Sequence, residues 1–224
     1  MATPMPNFPF DIVGFDLDGT LLDTSGDIGA ALNHALTTAG RPAVPQADVP
    51  RLIGGGSGQL LRTVLGEGAS EAEFVRLQDV LLEFYADNIA RHTRLFPGGE
   101  AMLDALAAQG VTLAVATNKI EANAVRLFNE LGLLDRFACV IGGDTLGLAR
   151  AKPKPDMLHE MVARCGGGRA AFVGDTSYDV GAAKAAGMPV VAVTFGYHDH
   201  PPHELGADAT IDHYDELIAV LASL

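Results

Sequence analysis

Basic residues are scarce in this sequence: 15 lysines and arginines stand against 28 aspartates and glutamates, a formal charge of −13. That balance excludes a general binder of nucleic acid or anionic membranes, since both need a basic face. It leaves room for a small anionic ligand held by local cations. Tryptophan is absent and cysteine occurs only twice. Cys139 and Cys165 form no CxxC pair, so no disulfide framework is expected, and each reads as a small core residue in a reducing compartment. No run nears the roughly 20 apolar residues of a membrane helix. The opening MATPMPNFPF has neither a basic stretch nor a long apolar one, so no signal peptide is expected. These absences predict a soluble cytoplasmic protein that binds neither nucleic acid nor membrane; the sequence leaves monomer and homodimer both open.

What is present is a large apolar fraction, 48% of 224 residues. That suffices for one sizeable domain or a domain carrying an insertion. Ile12–Asp16 reads as a short buried strand. From residue 99 helices and strands alternate: helices over 99–109, 122–131, 155–165 and 178–186, strands over 111–116, 138–141, 170–174 and 190–193. A short strand (209–211) and a helix (215–221) close the chain. Alternation of this kind predicts an α/β fold, a doubly wound, mostly parallel sheet with a Rossmann-like core. Residues 22–96 interrupt it and show no convincing strand. Helical spacing covers 25–39 and 71–91, with Phe74, Leu77, Leu81 and Tyr85 at three- and four-residue steps. Between them RLIGGGSGQLL, residues 51–61, is a glycine-rich break. The expected division is a catalytic core of residues 1–21 and 97–224 with an inserted all-helical cap, 22–96. The cap would hinge near Leu22–Thr24 and Leu95–Gly98, beside the pocket, where it can act as a lid that excludes water.

The stretch GFDLDGTLLD places Asp16 and Asp18 where the first strand ends. Asp-Gly between apolar runs is a hairpin signal. A calcium loop would need a third acid two residues on, where Thr20 stands, and glycine comes too early. A third reading is a catalytic pair. Residues i and i+2 of a strand face one side, and two carboxylates so close are costly unless a cation or a shared proton offsets them.

The later strand ends bear on that choice, because sites in open parallel sheets lie at the carboxyl ends of strands. LAVATNK ends in Thr117 and Asn118, FVGDTSYD ends in Asp175 with Asp179 four residues on, and Lys152 precedes Pro153 between them. Singly, Thr117 or Asn118 reads as a helix N-cap, Lys152 as a surface lysine, and Asp175 with Thr176 and Ser177 as another cap. Jointly, a hydroxyl, an amide, an ammonium and four carboxylates gather at one face.

This ordered set resembles the haloacid dehalogenase-like hydrolases, in the branch of Mg²⁺-dependent phosphatases: DLDGT (16–20), the Thr117 motif, Lys152 before proline, and GDTSYD (174–179). Haloacid dehalogenases proper lack the second aspartate, and Asp18 is present, so the resemblance implies phosphoryl chemistry. It implies Asp16 as the nucleophile forming an aspartyl-phosphate and Asp18 as the general acid and then base. Thr117, Asn118 and Lys152 would bind phosphate. Asp16 and Asp175 would hold Mg²⁺ by side chain and Asp18 by its backbone carbonyl, with Asp179 supporting a metal-bound water or Lys152.

The substrate is a small phosphorylated metabolite. The 51–61 segment, DLDGTLLDT and the terminal FGY…GAD pattern resemble phosphoglycolate phosphatases, which points to 2-phosphoglycolate. On that reading Gly55 and Gly56 let backbone approach the ligand, and Arg51 or Ser57 meets its carboxylate. The segment read without the resemblance is a turn between helices. β-Phosphoglucomutase-like phosphotransfer, hydrolysis of pyrophosphate or nucleotide monophosphates, and a phospho-acceptor signalling domain are the rivals. His198, His200 and His203, in YHDHPPHE, are few enough and close enough for zinc, but two prolines beside them read as a surface loop.

Overall fold

The computed structural model describes residues 8–224. The first seven residues, part of the opening read above as lacking a signal peptide and of the expected start of the core, lie outside the described residues. Six strands form one parallel sheet: β1 (Ile12–Phe15), β4 (Thr112–Ala116), β5 (Cys139–Ile141), β6 (Ala170–Gly174), β7 (Val190–Val193) and β8 (Ala209–Ile211), in the order β5-β4-β1-β6-β7-β8. The side chains explain the layers. Val13 and Phe15 of β1, with Leu113, Val115, Ala171, Val173, Val191 and Val193, face one side. Ile12, Ala114, Ala116, Phe172 and Val190 face the other. Both faces are apolar, so both must be covered.

Helices α4 (Gly99–Ala108), α5 (Glu121–Glu130) and α8 (Leu217–Leu221) pack on the first face through Leu103, Leu106, Leu127, Phe128 and Leu217. Helices α6 (Asp156–Arg164) and α7 (Ser177–Ala185) cover the second through Met157, Met161, Val180 and Ala183. The fold is therefore the α/β, doubly wound sheet that the alternation predicts. The chain winds outward from β1 through β4 to β5, then returns to the other flank of β1 at β6. That reversal opens a crevice at the carboxyl ends of the central strands.

Residues between β1 and α4 hold α1 (Ser25–Thr38), α2 (Gly56–Leu65) and α3 (Glu71–Asp87), with α3 packed against both α1 and α2. Three details differ from the sequence reading. The segment is not wholly helical at its base: β2 (Leu22–Asp23) pairs antiparallel with β3 (Arg94–Leu95). Strands of two residues are too short to show alternation. Helix α2 begins within the glycine-rich break, and its Leu60, Leu61 and Leu65 are buried; packing of that apolar face outweighs the glycines at its start. Helix α3 stops at Asp87, before the expected 91, where Asn88 leaves the helical conformation. The buried carboxylate of Asp27 ties the two ends of the segment together. It accepts from the backbone of His92 and Thr93 and from the Thr93 hydroxyl.

Candidate active site

Asp16, Asp18, Thr117 and Asp175 are buried just past the carboxyl ends of β1, β4 and β6, Lys152 is buried in the connection after β5, and Asp179 is buried in the first turn of α7. The Lys152 ammonium lies 2.6 Å from Asp179 Oδ1 and 2.8 Å from Asp16 Oδ1. It donates a directed hydrogen bond to Asp179, whereas Oδ1 of Asp16 has no well-aligned donor. The other oxygen of Asp179 accepts from the Thr176 backbone N–H at 3.0 Å and its hydroxyl at 2.7 Å. The same carboxylate thus caps α7 and holds Lys152. Asp175 accepts from the Thr20 hydroxyl and the Tyr197 backbone N–H. Gly19 makes this approach possible: its φ is +85°, and a Cβ there would sit 2.2 Å from Oδ2 of Asp175. The Asp-Gly stretch is a tight loop as well, since Gly19 N–H donates to the Leu22 carbonyl and Leu22 N–H to that of Leu17.

Charge in this cluster is poorly balanced. Burial, with Asp179 adding repulsion against the pull of Lys152, raises the Asp16 carboxyl to about 7. Burial and then the neighbouring Asp179 and Asp16 push Asp175 well above the usual carboxylate range. Burial alone would lower the Lys152 ammonium, but Asp16 and Asp179 outweigh it and raise it to about 12. One permanent cation faces three carboxylates.

Asp18 is separated from that cluster by its own partners. Lys119 contacts both carboxylate oxygens, at 2.9 and 3.0 Å, and the Thr24 hydroxyl donates at 2.7 Å. The Lys119 ammonium also sits 4.6 Å from the centre of the Tyr85 ring. Burial opposes its charge, but Asp18 more than compensates and raises its pKa. Tyr197 fastens the base of the insertion. Its hydroxyl accepts from the backbone N–H of Thr24 and Ser25 and donates to Asp23.

Asn118 links three segments. Its amide nitrogen donates to the carbonyls of Gly54 and Lys152, and its amide oxygen accepts from the Lys152 backbone N–H. Gly56, at φ +81°, would carry a Cβ 2.9 Å from the Asn118 carbonyl oxygen. A cavity of about 60 Å³ lies between the sheet and the insertion. Asp16, Asp18, Thr117, Asn118, Lys119 and Asn123 line its polar side, and Ile28, Ile53, Leu60, Leu81, Leu82 and Tyr85 its apolar side, with Gly56 and Ser57 at the junction. Of the expected substrate-binding residues, Ser57 and Gly56 therefore reach the cavity. Arg51 is exposed and does not line it, and Gly55 turns toward Gln59 and Tyr178.

Residues 13–193 match the family model of haloacid dehalogenase-like hydrolases. The chain belongs to the haloacid dehalogenase-like hydrolases. A phosphoglycolate phosphatase of Mesorhizobium japonicum is 42% identical over 216 residues, covering 94% of each chain. A plasmid-borne phosphoglycolate phosphatase of Cupriavidus necator is 40% identical, covering 96% of this chain and 94% of that one. A solved structure, of a predicted phosphoglycolate phosphatase from Haemophilus somnus, matches with a TM-score of 0.85 at 29% identity, covering 94% of this chain and 97% of that one.

For a haloacid dehalogenase-like hydrolase the cation shortage can be tested on the donor set. Asp16, Asp175 and Asp179 each offer a carboxylate oxygen within 4.8 Å of the others. All-oxygen donors, a buried Asp16 oxygen without a directed donor and an excess of negative charge fit a hard divalent cation. The group differs from the expected one, with Asp179 in the place of Asp18. The Asp18 carboxylate is turned to Lys119 and Thr24, which leaves its backbone carbonyl for that role. Among the described residues no other cluster of histidine, cysteine and acid side chains forms such a group. The His198 ring lies between the carbonyls of Asp175 and Thr194, whereas His200 and His203 are exposed. Lys119, Thr24, Tyr85 and Tyr197 were missed in the sequence reading. Lys119 alone left a signal there: it follows Thr117 and Asn118 at the carboxyl end of β4, where site residues are expected. The cysteines, 26 residues apart in sequence, bring their sulfurs within 3.9 Å. No helix of the described residues is long and apolar enough to cross a membrane.

Proposed function

We propose that this hydrolase is an Mg²⁺-dependent phosphatase acting on a small phosphate monoester, 2-phosphoglycolate above others. The observation that carries the reading is the division of labour between two buried aspartates that share one cavity: Asp16 beside Lys152 and the acidic cluster, Asp18 with Lys119 and Thr24. Asp16 attacks phosphorus in line and becomes the aspartyl-phosphate while the ester oxygen leaves. Asp18 delivers a proton to that oxygen, so the product departs as an alcohol. It then takes a proton from the water that cleaves the acyl phosphate, which restores both carboxyl groups and releases phosphate. Lys152 and the Thr117 hydroxyl bear on the charge spread over the phosphoryl oxygens. Asp16 and Asp175, with Asp179 beside them and the Asp18 carbonyl, would hold Mg²⁺, which when bound supplies the positive charge that one lysine cannot.

The insertion serves as the cap. Its apolar helices close over the cavity, exclude water and limit the ligand to a few heavy atoms. The relatives named phosphoglycolate phosphatases support 2-phosphoglycolate as the substrate. The test is phosphate release from 2-phosphoglycolate, sugar phosphates, nucleotides and pyrophosphate, with and without Mg²⁺ and with Asp16→Asn as the blank. Selective Mg²⁺-dependent hydrolysis of 2-phosphoglycolate is expected. Release from a different ester alone would discard the substrate and keep the chemistry, and release equal to the Asp16→Asn blank from every ester would end the proposal.

A further inference from the structure

Two polar groups on the cavity wall are not used by the chemistry above. The Lys119 ammonium carries three N–H donors; the two oxygens of Asp18 occupy two of them, which leaves one beside the Tyr85 ring in the cavity that both residues line. The Tyr85 hydroxyl is buried, has no well-aligned hydrogen-bond partner and lines the same cavity from the opposite side. An unpartnered buried hydroxyl is costly, and nearly all the rest of the inserted wall is hydrocarbon: Ile28, Ile53, Leu60, Leu81 and Leu82. A cation and an orphan donor side by side in an apolar chamber make a receptor for an anion.

Position narrows the anion. Asp18 must reach the ester oxygen, and Lys119 grips Asp18 by both oxygens, so the free donor lies immediately beyond that ester oxygen. A negative group one carbon away from the oxygen falls there. We infer that Lys119 and Tyr85 form a carboxylate subsite that selects α-phosphoryloxy carboxylates. Lys119 also stays on Asp18 and so joins the recognition of the substrate to the placement of the proton-transfer group. This rests on the phosphatase reading above and names the residues that give it its substrate. Arg51, exposed and outside the cavity lining, has no part in it.

The test compares two non-hydrolysable ligands that differ only in the carboxylate, 3-phosphonopropionate and propylphosphonate, by calorimetry on the Mg²⁺-loaded full chain. Wild-type protein is expected to prefer the carboxylate by about 100-fold. Tyr85→Phe removes one hydroxyl that has no well-aligned partner in the fold, so the variant folds, and the preference is expected to fall about tenfold. Lys119→Met is expected to abolish it, and the ratio of kcat/KM for 2-phosphoglycolate over ethyl phosphate is expected to fall in parallel. A preference unchanged in Tyr85→Phe, or absent from the wild type, overturns the subsite. The phosphatase reading fails separately, on no phosphate release from 2-phosphoglycolate by a wild type that nonetheless shows the carboxylate preference.

Discussion

At the strand ends the acidic groups are held by partners from distant parts of the chain: Asp175 by Thr20 and Tyr197, Asp179 by Lys152. Across the cavity the inserted helices present mostly carbon, with few polar ties to the core, such as Gly54 to Asn118 and Thr24 to Asp18. One side is a polar lattice in which every removal leaves a buried group without its counterpart. The other is a fitted apolar wall whose contacts are individually weak. On the proposed reaction, the groups that make and break bonds stand at the strand ends, and fit to the ligand is left to the inserted helices.

If that contrast holds, damage should decline from strand ends to the outer face of the insertion. Asp16→Asn is nearly isosteric and is expected to lower kcat by more than about 10⁴-fold while the protein still melts cooperatively; phosphate-release kinetics and calorimetry check both halves. Lys152→Met leaves Asp179 and Asp16 buried without their cation. We expect loss of turnover and about 3 kcal/mol of stability, measured by urea unfolding. Gly56→Ala forces a side chain onto a left-handed backbone and against the Asn118 carbonyl. A cost of about 1–3 kcal/mol is expected, with kcat/KM falling and the Asp16 cluster intact.

Acidity tests the polar side alone. Asp16 is raised from 3.8 to about 7, first by burial. Between those values the folded metal-free chain binds more protons than the unfolded one, so this group stabilises the fold fully below its unfolded value. That contribution is lost as pH rises toward 7. Thermal stability without metal should therefore fall from pH 5 to pH 7.5, and Mg²⁺ should raise Tm more at pH 7.5 than at pH 5. Smallest of all is the outer face of the insertion. Glu71 pairs with Arg62 in solvent, and Glu71→Gln should leave both Tm and kcat/KM within error of the wild type. A large effect there would break the contrast.

Legibility in the sequence followed the same divide. The sheet was readable because its strands are apolar on both faces and its polar residues fall at strand ends, so Asp16, Asp18, Thr117, Lys152, Asp175 and Asp179 could be named in advance as candidates, and the structure brings them together. The insertion was readable only where an amphipathic period was long, as in α3. Helix α2 was hidden by Gly54, Gly55 and Gly56, and the β2–β3 ribbon by its brevity. Lys119 and Tyr85 come from opposite sides of the cavity and meet at an aromatic face, a pairing that no local spacing encodes. Arg51 had the right charge but faces solvent, because a 3-10 turn, not the cavity wall, sets its direction.

The ribbon at the base of the insertion has an evolutionary reach. Leu22 pairs with Leu95 and Asp23 with Arg94, so the segment departs and returns at one point, and a single phenol, Tyr197, bolts that point to the sheet. A module attached at one gate can be lengthened, traded or lost while the strand order stays as it is.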